Sequence, residues 1–213
     1  MLSLRAGFGL SLILALAGCL QTTGGSGGAP VLRQAALAGG SVVVTPPPGY
    51  CIDANSLSDR PSGGFALIGS CATLTGEATG VFVEPAIITL SVSPAQADDM
   101  SIDSRAFQTA LDRGRVIKAV SRDDLSLLQV EGGARVPPSA DERHWRGLMR
   151  VGGQVVGLAL YGAAEGPMSG DQGMRLLIEL ADAIQTQSAA AAQTAARAAA
   201  ATPVAAPAQA TTE

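Results

Sequence analysis

Residues 145–161 read WRGLMRVGGQVVGLALY, and the fold class turns on them. Gly152-Gly153 stands between two strand patterns, and a two-residue Gly-Gly link is a favoured hairpin turn. Before it, Trp145, Met149 and Val151 fall on one face with Gly147 between them, and His144, Arg146, Leu148 and Arg150 fall on the other. That is the period-2 pattern of a strand with one face in a core. After it, Val155–Leu160 is apolar on both faces and fits a central strand.

Working outward, Val116–Val120 (VIKAV) and Leu125–Val130 (LSLLQV) flank a turn at Arg122-Asp123-Asp124. Ala86–Val92 (AIITLSV) concentrates β-branched residues, and Pro85 separates it from Val81. Tyr50–Asp53 (YCID) and Phe65–Leu74 (FALIGSCATL) read as strands on either side of a loop at 55–64 rich in turn formers. Ser41–Thr45 (SVVVT) runs into Pro46-Pro47-Pro48, which no central strand accepts, so it reads as an edge segment.

Two helices are predicted. Ser101–Gly114 carries Ile102, Ala106, Phe107, Ala110 and Leu111 at helical spacing, with Asp103 or Ser104 to cap it and Gly114 to end it. A second starts at Ser169, which stands three before Gln172 as a capping box requires. Met174, Leu177, Ile178, Ala181 and Ile184 make its apolar stripe. Residues 188–213 contain 14 Ala among 26, so the helix is expected to run on to about Ala201 before an Ala/Pro tail.

The tally is six to eight strands and two helices, with hairpins dominant. It predicts an α+β domain over 41–187: a mostly antiparallel sheet with both helices on one face. The order strand–strand–strand–helix–strands–helix resembles the fold shared by the Mog1 nuclear-transport factor and the PsbP photosystem proteins. That resemblance implies a binding or assembly role. At 213 residues one domain is the expectation. A net charge of −4 with 3% aromatic residues argues against a nucleic-acid groove, which needs basic and stacking side chains.

Residues 1–18 read as a secretory signal. Arg5 precedes an apolar run from Phe8 to Ala17, too short for a bilayer span of about 20 residues. The run ends in Leu16-Ala17-Gly18-Cys19, which resembles the bacterial lipobox at every position. The resemblance implies diacylglycerol on the Cys19 sulfur, cleavage after Gly18 and acylation of the new amino group. Two or more acyl chains anchor stably where one binds reversibly. An ordinary cleaved signal with a coincidental Cys19 is the alternative. Residues 19–40 read as a tether, Gly/Ser-rich at first (LQTTGGSGGAP, 20–30). Leu20, not Asp, follows Cys19, which by the enteric sorting rule favours the outer membrane over the inner. The stretches Pro48–Asp53 (PGYCID) and Phe65–Cys71 (FALIGSC) resemble a group of alphaproteobacterial lipoproteins.

Three Cys are an odd number for an exported chain; lipidation of Cys19 leaves Cys51 and Cys71. In an oxidising compartment these two read as one disulfide. The alternative is a reactive thiol, which needs a neighbouring base or cation.

No GxGxxG follows a strand, and Lys118, the one Lys, sits inside a strand pattern rather than a phosphate loop. GxSxG occurs only at Gly24–Gly28 around Ser26, in the tether. A Ser-His-Asp triad has only His144 to use, in the polar run Asp141-Glu142-Arg143-His144-Trp145-Arg146, and His144 reads as a solvated edge residue. Asp98-Asp99, Asp123-Asp124 and Asp141-Glu142 read as solvated turn carboxylates. Arg146 and Arg150, with Arg143 close by, read as a balanced solvated face, or as a receiver for an acidic ligand or lipid headgroups. Trp145 reads as a core anchor. No catalytic residue, cofactor or metal site is predicted. The expectation is a non-enzymatic envelope lipoprotein, membrane-held through Cys19, that binds or assembles with an envelope protein and not with nucleic acid. The alternatives are a carrier of lipid or another small ligand, and a small periplasmic hydrolase using His144.

Overall fold

Gly152 and Gly153 turn the chain with φ of +55° and +76°, the pair of positive angles that a two-residue hairpin requires and that Gly adopts without strain. In the computed structural model, which describes residues 28–60, 63–78, 80–94, 114–133 and 136–201, this hairpin joins β10 (Arg143–Val151) to β11 (Gln154–Gly162) in one antiparallel register from Trp145↔Leu160 to Val151↔Gln154. The preceding strands are β1 (Val31–Leu32), β2 (Ala35–Leu37), β3 (Val42–Val44), β4 (Tyr50–Asp53), β5 (Ser58–Arg60), β6 (Gly63–Ser70), β7 (Ala86–Pro94), β8 (Arg115–Arg122) and β9 (Leu125–Glu131). Helix α1 spans Cys71–Thr75 and helix α2 spans Asp171–Ala201.

The molecule is α+β. Its main sheet has nine strands in the order β1-β4-β6-β7-β11-β10-β9-β8, with β5 paired to β6 off this path, and every pairing is antiparallel. Strands β2 and β3 form a separate two-stranded ribbon. β11 lies between β7 and β10, and its residues are buried on both faces of the sheet. Leu176, Leu177, Leu180, Ala181 and Ile184 of α2 share one core with Trp145, Met149 and Val151 of β10 and Leu125 and Leu127 of β9. Trp145 is fully buried, and its Nε1 donates to the Gly170 carbonyl at 2.8 Å, so the indole brings its bulk inside without stranding its one polar atom.

Several expectations are corrected. The strand read at Phe65–Leu74 stops at Ser70, whose hydroxyl accepts from the Thr73 amide at 3.0 Å and starts α1 there. The loop read at 55–64 contains β5. Residues 31–40, assigned by composition to the tether, supply β1, β2 and a 3-10 turn. Ser169 does not cap α2: it closes a 3-10 turn, Pro167–Ser169, and its hydroxyl donates to the Gly166 carbonyl. The helix does reach Ala201, and Ser188, beyond the expected domain edge at 187, accepts from the Val43 amide at 2.9 Å and ties β3 to α2. The signal, Cys19, the Asp98-Asp99 pair and, up to residue 113, the helix expected over Ser101–Gly114 lie outside the described residues.

Candidate functional site

The described chain starts at Gly28, against α1: a Cβ there would collide with the Thr75 backbone. Ala29 N then donates to the Leu74 carbonyl at 3.0 Å, and β1 pairs with β4. Cys51 of β4 and Cys71, the first residue of α1, are joined by a disulfide with Cα atoms 4.9 Å apart. The Cys71 amide donates to the Gly49 carbonyl at 2.8 Å. The incoming chain, β4 and α1 are therefore fixed to one another at a single corner.

Residues 81–85 (VFVEP) cross this corner outside any strand or helix. Gly49, at φ +89°, lies beneath it: a Cβ there would collide with the Val83 side chain and come within 3.2 Å of Val81 Cγ1. Val81 and Val83 thus turn toward Gly49, and Phe82 between them turns out, 91% exposed. A cleft of about 360 Å³, lined by uncharged residues including Ala72, Thr73, Val81 and Pro85, lies on one side of Phe82. A second, of about 460 Å³, is lined on the other side by Tyr50, Glu84, Arg175 and Glu179 among others. Tyr50 Oη donates to the Glu84 carbonyl at 2.7 Å. Burial, with the charges of Glu84 and Glu179 adding to it, pushes the phenol up to about 12, so it stays a donor.

The other polar corner lies where β10 begins. His144 is not a solvated edge residue: it is 1% exposed and stacks on Tyr161 at a centroid distance of 5.1 Å. Its Nδ1 donates to the Glu142 carbonyl at 3.1 Å, the one hydrogen bond it makes among the described residues. Burial, and secondarily the charge of Arg146, hold the imidazole below its ordinary pKa against the opposing pull of that carbonyl. Asp141 is not solvated either. It accepts from the Arg143 amide at 2.8 Å, the Arg143 guanidinium at 3.1 and 3.3 Å and the Glu165 amide at 3.2 Å. Burial alone would raise this carboxyl, but the bonds from Arg143 outweigh it and hold it below the usual range. Glu165 sits at φ +59°, a conformation this anchored amide helps to hold.

The arginines do not form one patch. Arg143 shares its strand face with Trp145 and pairs with Asp141, whereas Arg146 lies on the opposite face with its guanidinium 5.4 Å from the Tyr161 ring centre. Asp123-Asp124 forms the β8–β9 turn, as expected, with Asp123 at φ +45°. Among the described residues no three His, Cys, Asp or Glu side chains are placed to hold a metal, and no helix is long and apolar enough to cross a membrane.

Neither Gly49 nor Phe82 is among the candidate residues that the sequence offers. Their signal was present: an aromatic and two valines in a stretch that Gly80 and Pro85 keep from being a strand. Comparison of the chain with protein-family models, with curated proteins and with solved structures returns no match.

Proposed function

We propose that this chain is a bacterial envelope lipoprotein, held to a membrane through acylated Cys19, whose α+β domain binds or assembles with an envelope partner. The observation that carries the reading is the allocation of sulfur. Cys51 and Cys71 are consumed by one disulfide, and the one remaining Cys is the residue that completes Leu16-Ala17-Gly18-Cys19. The Leu20 that follows supports the outer membrane, and the order read from the sequence, strand–strand–strand–helix–strands–helix, supports kinship with the Mog1/PsbP-like domains. The binding role is supported by clefts that open beside Phe82, near where the tether meets the domain.

The test is Cys19→Ala in the full chain, expressed in a bacterial host. The variant is expected to keep its signal and to leave the acylated membrane fraction. A variant processed and retained like the parent would overturn the anchor. Crosslinking of the acylated protein in its own membranes is expected to yield a reproducible envelope protein; a co-purifying lipid in its place would replace the assembly role with carriage.

A further inference from the structure

We propose that Phe82, with Val81 beside it, makes a second and apolar contact with the bilayer that holds the anchor. The inference rests on the reading of Cys19 as the lipid attachment. It starts from chain length. Nine Cα–Cα steps lead from Cys19 to Gly28, and they span at most about 32 Å whatever conformation the chain takes. Gly28 and Ala29 lie against Thr75 and Leu74 at the end of α1. The same helix contributes Ala72 and Thr73 to the cleft beside Phe82. A five-residue helix is about 7.5 Å long, so the point where the tether meets the domain and the Phe82 ring belong to one small surface. That surface is where the tether joins the described domain, so it stays within the tether's reach of the membrane.

Single exposed apolar side chains are ordinary on a protein surface. Phe82 differs in how it is presented. Among the described residues, the other large exposed apolar side chains are its neighbour Val81, at 48%, and Phe65 at 38%, Ile87 at 41% and Ile117 at 42%, which lie on strands of the sheet and are mostly covered. Phe82 is 91% exposed because its two neighbours are seated over Gly49, a position where only the missing side chain leaves room. Of the two adjoining clefts, one is lined without charge and the other carries Glu84, Arg175 and Glu179. A membrane contact made this way is apolar, so it resists salt, unlike a basic patch on anionic lipid. It is weak alone and effective because the tether keeps the ring close to the bilayer.

The experiment uses the full acylated chain in phosphatidylcholine vesicles with brominated acyl chains, comparing Phe82→Trp with Ile117→Trp. Trp145 is fully buried and gives both variants the same background. The added indole at position 82 is expected to shift to the blue and lose emission to the bromines, equally at low and high salt. The indole at position 117 is expected to do neither. A chain that floats with the vesicles while position 82 stays unshifted and unquenched would overturn the contact and leave the anchor standing. A blue shift at 82 without bromine quenching would mean that a second copy covers the ring, and would also overturn it. A chain that does not float would overturn the Cys19 reading, and this inference with it.

Discussion

Around Cys51 and Cys71 the molecule turns apolar side chains outward, whereas around Asp141 and His144 it draws ionisable ones inward. The first corner is held by a covalent bond and by a missing side chain at Gly49. The second is held by oriented hydrogen bonds and a ring stack. The contrast separates two ways of fixing a surface segment. A disulfide does not depend on pH and fails under reductant. A network of charged and neutral acceptors is indifferent to reductant and fails under acid. Each corner therefore has its own solvent variable, and each can be removed without touching the partners of the other.

The change expected to cost most is Trp145→Ala, which empties the core beneath the polar corner. Deleting a buried Trp costs about 3–5 kcal/mol, and here it also leaves the Gly170 carbonyl without its donor. Urea unfolding is expected to show that loss as a lower midpoint; a loss below about 1 kcal/mol would mean that Trp145 is not the base on which β10 and α2 meet. Next is Cys51→Ser with Cys71→Ser. For a sequence separation of 20, chain entropy predicts a loss of about 3 kcal/mol, the same at neutral and acid pH. A loss that grew as pH fell would show the two corners to be coupled. Third is Asp141→Asn, expected to cost about 1–3 kcal/mol, because an amide cannot accept from Arg143 and Glu165 as the carboxylate does. Its folded-state pKa is depressed, so its contribution is present above the ordinary carboxyl value near 3.8 and is lost as pH falls through the lower folded value. The cost of Asp141→Asn should therefore shrink in strong acid. The disulfide and Asp141 share no partner, and their effects are expected to add within about 0.5 kcal/mol.

Much of this fold was legible because the main strands are long enough to repeat a period. The alternation at 145–151 and the Gly-Gly turn placed β10 and β11, and the Cys arithmetic placed the staple. What escaped was short or set by distant neighbours. β1 and β2 have two and three residues, too few to show a period, and exist because β4 and β3 accept them. α1 has five residues and is started by one Ser hydroxyl inside an apolar run that reads equally well as a strand. Ser169 had the spacing of a cap, but its hydroxyl is taken by Gly166, a partner that spacing cannot reveal. Phe82 stands in a stretch that Gly80 and Pro85 keep from being a strand, but its outward turn depends on the missing side chain at Gly49, far away in sequence.

His144 shows most clearly where local polarity misleads, and it yields the smallest effect. Its sequence neighbours are charged, which reads as solvent, yet alternation puts Arg143 on the opposite face, and on its own face Tyr161 of β11 covers the ring and takes the Arg146 guanidinium beside it. Burial keeps the imidazole neutral, and its pKa is lower in the folded chain than in the unfolded one. Below the unfolded value, near 6.5, the unfolded chain binds a proton that the folded chain does not, so stability falls as pH falls from there to the depressed folded value. His144→Phe keeps a ring against Tyr161 and removes the titration. Chemical denaturation from pH 7.5 to 5 is expected to show the parent losing stability while the variant holds level over the same range, well above the window of Asp141. Parallel slopes for the two proteins would mean that His144 takes up its proton in place, and that this corner excludes charge less strictly than the stack on Tyr161 implies.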